Sequence, residues 1–299
     1  MKTHRSDLLW TAIAPVVWGS TYMVTTESLP GFSPLSVAML RALPAGLLLL
    51  LMVRQLPTGI WWLRVSILGA LNIAIFLSML FVAAYRLPGG VAATVLSVQP
   101  LIVVFLAAML LGSPLRVISM VAAVVGALGV ALLVLTPDAH LDAVGVAAGL
   151  TGAVSMAFGT VMTRKWQPQV SMLTFTAWQL TAGGLILVPV ALLFEPPLPT
   201  LTGVNLVGLV WLGLIGAALT YLLWFRGIAR MAPAVVASLS FLSPVTAVLL
   251  GWVFLNQTLS PLQLIGATLV IGSIWLGQRP DRVSGLPLKG PLRARKVAR

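Results

Sequence analysis

The chain has 299 residues, 59% of them hydrophobic and 8% charged, with a mean hydropathy of +1.05; soluble domains carry about 25% charged residues. A water-soluble globular domain is excluded. A net charge of +12 would suggest a nucleic-acid partner in a soluble protein, but here the basic residues flank apolar stretches or crowd a C-terminal tail, so lipid and no nucleic acid is the expected contact.

Ten apolar stretches follow in chain order, at 8–26, 35–53, 65–84, 91–111 and 117–136, then at 144–162, 172–194, 204–225, 234–255 and 262–276. Each is of the length that crosses a hydrocarbon core of roughly 30 Å as a helix. The first is too long for a signal-peptide core and lacks a small-residue cleavage site, so it is expected to stay as a helix. With the N-terminus placed in the cytoplasm, every basic residue except Arg41 and Arg86 lies on the cytoplasmic side. The positive-inside rule therefore predicts a multi-pass membrane protein with both termini cytoplasmic. Residues 279–299, rich in Gly, Pro and basic residues, read as a disordered basic tail that fixes topology. There is no cysteine, hence no disulfide or thiolate chemistry.

A slide of 144 residues lays Gly69 on Gly213, Arg86 on Arg230, Ala93 on Ala237 and Pro100 on Pro244, and brings Thr94 onto Ser238. A shorter alignment pairs Trp18, Gly19 and Ser20 with Phe158, Gly159 and Thr160; another pairs Arg41 and Gly46 with Gln179 and Gly184. Apolar coincidences are cheap in such a chain, so the Gly, Arg and Pro matches carry the repeat. The copies span about 8–136 and 144–276. Because an odd number of crossings separates them, the second enters the bilayer from the opposite side, the plan of many secondary transporters. The expected fold is an all-α membrane domain over 1–278, with ten transmembrane helices as two inverted five-helix repeats.

The Trp18-Gly19-Ser20 motif, Arg41 within Met39-Leu40-Arg41-Ala42, and the tract from Gly90-Val91-Ala92-Ala93-Thr94 through Gln99-Pro100, echoed by Val235-Val236-Ala237-Ser238 through Ser243-Pro244, resemble the EamA branch of the drug/metabolite transporter superfamily. Within that branch the aromatic content is similar to the YddG-type exporters of aromatic amino acids. The resemblance covers about residues 8 to 276. It implies a bacterial inner-membrane transporter exporting amino acids, aromatic ones first, or related metabolites, by alternating access.

Residues at i, i+4, i+7 share a helix face. That spacing groups Trp18 and Tyr22 with Thr25, Asn72 and Phe76 with Met79, and Trp178 with Thr174 and Thr181. Tyr221 and Trp224 lie three apart; Thr94, Ser97 and Gln99 precede the Pro100 kink, and Ser238, Phe241 and Ser243 precede Pro244. Asn72, Gln99 and Gln179 are costly against lipid and are expected either to line a cavity or to bond between helices. Phe158 completes the interior aromatic set, and together these residues are the expected surroundings of a small-molecule substrate. Arg41, a charge about 10 Å into its span, reads either as a carboxylate anchor or as a side chain reaching outward to loop carbonyls.

The middle of every span lacks Asp, Glu, His and Lys. Such groups are the usual proton relays and ion ligands of coupled pumps, so a facilitator or a weakly coupled exchanger is favoured. The carboxylate pairs and His clusters of intramembrane enzymes are missing too, and no cofactor is implied. A broader drug, metabolite or lipid permease and a non-transporting scaffold remain alternatives; a scaffold would lack a central cavity.

Overall fold

The computed structural model describes residues 2–87, 89–134, 142–254 and 260–278; the expected tail, Asp138 and His140 lie outside them. Among the described residues every regular element is a helix. In chain order they are α1 (Lys2–Ser28), α2 (Pro34–Val53), α3 (Trp61–Arg86), α4 (Gly89–Leu96 and Gln99–Leu111), α5 (Val117–Val134), α6 (Ala143–Lys165), α7 (Met172–Phe194), α8 (Gly203–Arg230), α9 (Pro233–Leu239 and Leu242–Phe254) and α10 (Pro261–Gly277). Eight are long and apolar enough to cross a membrane, whereas α5 and α10 are shorter apolar helices. Leu51, Met109 and Leu193 are each over 70% exposed, as suits side chains whose solvent is lipid.

Helix starts follow local chemistry. Pro34 and Pro261 open α2 and α10, where a missing N–H costs nothing. The Asp142 carboxylate accepts from Gly145 N at 2.6 Å to start α6. Thr202 with Asn205, and Ser260 with Gln263, form reciprocal capping boxes.

The repeat has structural counterparts. Helix α3 contains a π-helical segment at Ala70–Ile75, and the 144-residue slide carries it inside the π segment Trp211–Leu219 of α8. The break in α4 after Leu96 falls within a residue of the break in α9 after Leu239. Each break precedes a proline, Pro100 or Pro244, at the start of the second piece.

Equivalent helices of the two halves meet through glycine. A Cβ on Gly46 of α2 would lie 2.4 Å from the Thr181 nitrogen of α7, and one on Gly184 would lie 2.6 Å from Leu43 Cα. Helices α5 and α10 approach in the same manner, where a Cβ on Gly266 would sit 2.6 Å from the Gly129 carbonyl oxygen. Lipid removes the hydrophobic drive for helix pairing, so this backbone proximity supplies dispersion contacts in its place.

Charges tie helices of one half to those of the other. Glu195, just past α7, accepts from Leu35 N and Ser36 N at 2.6 Å each, placing a carboxylate at the positive end of α2. Asp7 of α1 receives Arg226 at 2.8 Å and Arg230 at 3.1 Å from α8. Arg86 at the end of α3 pairs with Asp142 at 3.7 Å, so the repeat mates Arg86 and Arg230 each hold an aspartate at the start of the opposite half. Within the second half, Arg164 donates to the Ile228 carbonyl at 3.2 Å and to that of Ala229. The guanidinium of Arg64 stacks over Trp61 and Trp166, 5.1 and 5.7 Å from the ring centroids.

Candidate functional site

Two cavities share a wall in the interior. The larger, about 630 Å³, is bounded by Thr21 and Thr25 of α1, Leu29 just past its end, Arg41 of α2, Phe76, Phe81 and Tyr85 of α3, and Tyr221 of α8. The smaller, about 100 Å³, is bounded by Ser97 and Gln99 of α4, Met156 of α6, Trp224 of α8, and Ser240, Phe241 and Ser243 of α9. Trp18 and Phe76 line both. As the residues common to both linings, they form the partition between the two spaces.

The partition is anchored to the π segment of α8. Trp18 Nε1 donates to the Gly216 carbonyl oxygen at 3.1 Å and to Thr220 Oγ1 at 2.9 Å. Arg41 donates to the same carbonyl at 2.7 Å and to Thr21 Oγ1 at 3.3 Å, and Thr220 Oγ1 donates to it at 2.8 Å. A π turn takes carbonyls out of the regular i→i+4 ladder; here one such oxygen gathers α1, α2 and α8. Arg41 is 3% exposed. Two of its hydrogen bonds run inward, to a span carbonyl and to α1.

Each residue of the tryptophan motif has a task. Trp18 packs its ring 5.5 Å from Tyr221 and 5.1 Å from Trp224. A Cβ at Gly19 would lie 2.6 Å from the Ser243 carbonyl oxygen, so glycine lets α1 touch α9 beside the smaller cavity. Ser20 Oγ receives Trp211 Nε1 at 3.0 Å.

Seven of the residues singled out in the sequence wall the smaller cavity, namely Trp18, Phe76, Ser97, Gln99, Trp224, Phe241 and Ser243, while Trp18, Phe76 and Tyr221 wall the larger. Asn72 and Gln179 form a polar knot instead: Asn72 Nδ2 donates to Gln179 Oε1 at 2.8 Å and to Thr163 Oγ1 at 2.9 Å, with both residues fully buried. The knot fits because α6 has Gly159 there; a Cβ would lie 2.0 Å from Asn72 Oδ1. Trp178 donates Nε1 to the Gln55 carbonyl at 2.6 Å and borders a separate 310 Å³ cavity beside Trp62. Phe158 is 37% exposed. Thr94 is half-buried, and its carbonyl accepts from Ser97 Oγ at 2.6 Å. The Tyr22 side chain lies outside the described residues.

Sequence reasoning did not select Thr21, Phe81, Tyr85, Gly216 or Thr220. The 3.5-residue spacing of Trp18, Thr21 and Thr25 is a signal for Thr21; nothing in the sequence singles out Gly216. Among the described residues no cluster of His, Asp or Glu is placed to hold a metal ion.

A multi-pass helical bundle holding a two-chambered, aromatic-walled interior has the build of a small-solute transporter. The EamA-like transporter family matches the chain twice, over residues 5–135 and 143–277, and the chain belongs to that family. It is similar to Protein PecM of Dickeya dadantii, 48% identical over 267 residues that cover 89% of this chain and 90% of PecM. It is also similar to the Uncharacterized inner membrane transporter YedA of Escherichia coli K12, 30% identical with 87% of each chain covered. A crystal structure at 22% identity superposes with a TM-score of 0.79, over 92% of this chain and 96% of the other, a likeness of fold. The protein is thus a membrane transporter of small metabolites and not an enzyme.

Proposed function

We propose that the protein exports amino acids, aromatic ones first, or closely related metabolites across a bacterial inner membrane by alternating access. In this reading the ten helices all cross the bilayer, the five-helix halves over about 8–136 and 144–276 are inverted, and both termini are cytoplasmic. Residues 279–299 are then a basic cytoplasmic tail that fixes topology. The observation that carries the reading is the pair of cavities meeting at Trp18 and Phe76. Their walls are aromatic or aliphatic with a few hydrogen-bonding tips, the composition of a site for a small, partly apolar molecule.

Trp18, Phe76 and Tyr221 hold the solute in the larger space; Ser97, Gln99, Trp224, Phe241 and Ser243 receive it in the smaller. Rocking of the halves about the α2–α7 and α5–α10 glycine contacts exposes the two spaces in turn. The lack of mid-span carboxylate, His or Lys supports movement down the solute's own gradient, or exchange, over tight ion coupling.

Purified protein in liposomes, offered labelled Phe, Trp, Thr and a sugar phosphate in turn, tests the assignment. Movement of Phe and Trp ahead of Thr, with the sugar phosphate excluded, is the expected order. If none of the amino acids moves under any ion gradient, the assignment is abandoned.

A further inference from the structure

The third cavity, about 310 Å³, lies where α2, α3 and α7 meet. Its floor is closed by Val65, Trp178 and Thr181, which are at most 8% exposed, while Leu56, Trp62 and Leu185 on its rim are 54–57% exposed. It is therefore a groove open to the bilayer. Trp178 Nε1 donates to the Gln55 carbonyl at 2.6 Å, which ties the α2–α3 turn over one end. That turn joins two spans, so this end lies at headgroup level. From Trp178 the wall continues along α7 to Ile186, about 12 Å deeper at 1.5 Å per residue, which is most of one leaflet's share of a roughly 30 Å core. The polar groups of the walls are turned away from the groove. Ser66 Oγ donates to the Trp62 carbonyl at 2.8 Å, Trp178 Nε1 is engaged by Gln55, and Thr181 Oγ1 is buried. A hydrocarbon chain in the groove restores the dispersion contacts that an empty space forfeits.

Arg54 borders the mouth of the groove, between Leu50 and Leu56, which are both in its wall. It caps α2 in the left-handed conformation at φ 50°, and among the described residues it is the one non-glycine residue with positive φ. Glycine is the default there because it has no Cβ to strain, and Gly112 fills the same position at the end of α4 with φ 65°. A cation is favourable at a helix C-terminus, but any position in the last turn supplies it without the strain. Topology asks only for a basic residue somewhere in the turn. An arginine kept at 54 against its backbone preference points to a task for the side chain. Among the described residues no hydrogen bond or ion pair engages the Arg54 guanidinium, or the indole N–H of Trp62 on the α3 side of the mouth. Both side chains are exposed.

We infer that the groove binds an anionic phospholipid of the surrounding bilayer. One acyl chain lies along α7, the Arg54 guanidinium holds the phosphate, and the Trp62 N–H is a second donor. Arginine pairs with phosphate through two parallel charge-assisted hydrogen bonds, whereas a zwitterionic headgroup brings a cation of its own to the same place. The C-terminal tail is not the occupant, because residues 279–299 are basic and carry the sign of Arg54. Bound there, the lipid fastens α3 to the α2–α7 pair and stabilises the folded bundle by mass action.

The test is the melting temperature of purified, delipidated protein in detergent, titrated with phosphatidylglycerol or with phosphatidylcholine of the same chains. Phosphatidylglycerol is expected to raise it at about tenfold lower concentration, the worth of one charge-assisted bond. Native mass spectra are expected to show one retained phosphatidylglycerol per chain. Arg54→Gly is expected to match or exceed the wild-type melting temperature without lipid, because glycine relieves the left-handed cap, and to lose the preference between the lipids. Ser66→Phe places a ring in the groove from an exposed position and is expected to lose the retained lipid. Equal responses of the wild type to the two lipids overturn the site, as does a preference that survives in Arg54→Gly. Retention unchanged by Ser66→Phe places the chain elsewhere and overturns the groove. Soluble glycerol phosphate acting as well as phosphatidylglycerol also overturns it, since a free anion would then suffice. The wild-type titration needs no substitution, so a variant that fails to fold leaves the inference open to refutation. No transport is measured, so the outcome is independent of the cargo proposed above.

Discussion

The indole nitrogen of Trp18 stands 3.1 Å from the carbonyl oxygen of Gly216, joining the first helix of one half to the π segment of the other. Arg41 and Thr220 share that oxygen, so the partition between the cavities is held by a point where three helices meet. Trp18→Phe keeps an aromatic ring but removes the donor and part of the indole's packing against Tyr221 and Trp224. It is expected to lower stability by about 1–2 kcal/mol, read as a lower melting temperature in detergent, and to slow uptake because the partition loosens.

The α2–α7 contact predicts a sharp contrast between glycines. Gly46→Leu drives a side chain into the α7 backbone, 2.4 Å from the Thr181 nitrogen, where nothing can yield; Gly272 of α10 has open space around its Cβ position. Gly46→Leu is expected to destabilise by about 3 kcal/mol or more and to cut the yield of folded protein. Gly272→Leu is expected to change stability by less than about 0.5 kcal/mol. Size-exclusion profiles and melting curves of the two variants decide.

Gly126 of α5 lines neither cavity, yet its substitution is expected to act on the smaller one. A Cβ there would lie 2.2 Å from the Phe241 ring, and a ring, unlike backbone, has room to swing. Gly126→Ala is therefore expected to fold while tilting Phe241 into the cavity, raising KM several-fold. Uptake kinetics with an unchanged KM would place the ring's movement elsewhere.

The Asn72–Gln179 knot predicts a separation of stability from transport. Asn72→Ala leaves Gln179 and Thr163 without the amide that joins them, and burial makes that loss cost about 1–3 kcal/mol. The melting temperature is expected to fall while KM stays at the wild-type value, because neither residue borders the two cavities. Gly159→Ala should behave alike, since its methyl group would collide with Asn72 Oδ1.

Helical periodicity placed Asn72 and Phe76 on one face, four residues apart. They part company because the π segment Ala70–Ile75 runs between them. An extra residue in the turn rotates everything beyond it by about 100°, sending Phe76 to the cavities while Asn72 meets α6 and α7. Tyr221 and Trp224 both lie beyond the π segment of α8, so their mutual spacing is that of a regular helix, yet Tyr221 borders the larger cavity and Trp224 the smaller. Trp18 and Phe158, mates in the repeat, also diverge: one lies between the cavities and the other is 37% exposed. Shared ancestry does not force a shared environment, and the sequence around Phe158 carries no sign of the difference.

What the amino-acid sequence determined alone was the solvent, the helices and the duplication. Those depend on composition, on the length of apolar runs and on Gly, Arg and Pro recurring at one offset, all of which are local or periodic quantities. The break before Pro100 and Pro244 was legible for the same reason, since proline acts on its own turn. Only the tertiary structure decided which face of each helix meets the interior, that Trp18 and Arg41 both reach the Gly216 carbonyl, and that Gln99 and Trp224 belong to the lining of one small space. These are relations between residues more than a hundred positions apart, set by π turns and by glycine contacts between backbones, and no window along the chain contains both partners.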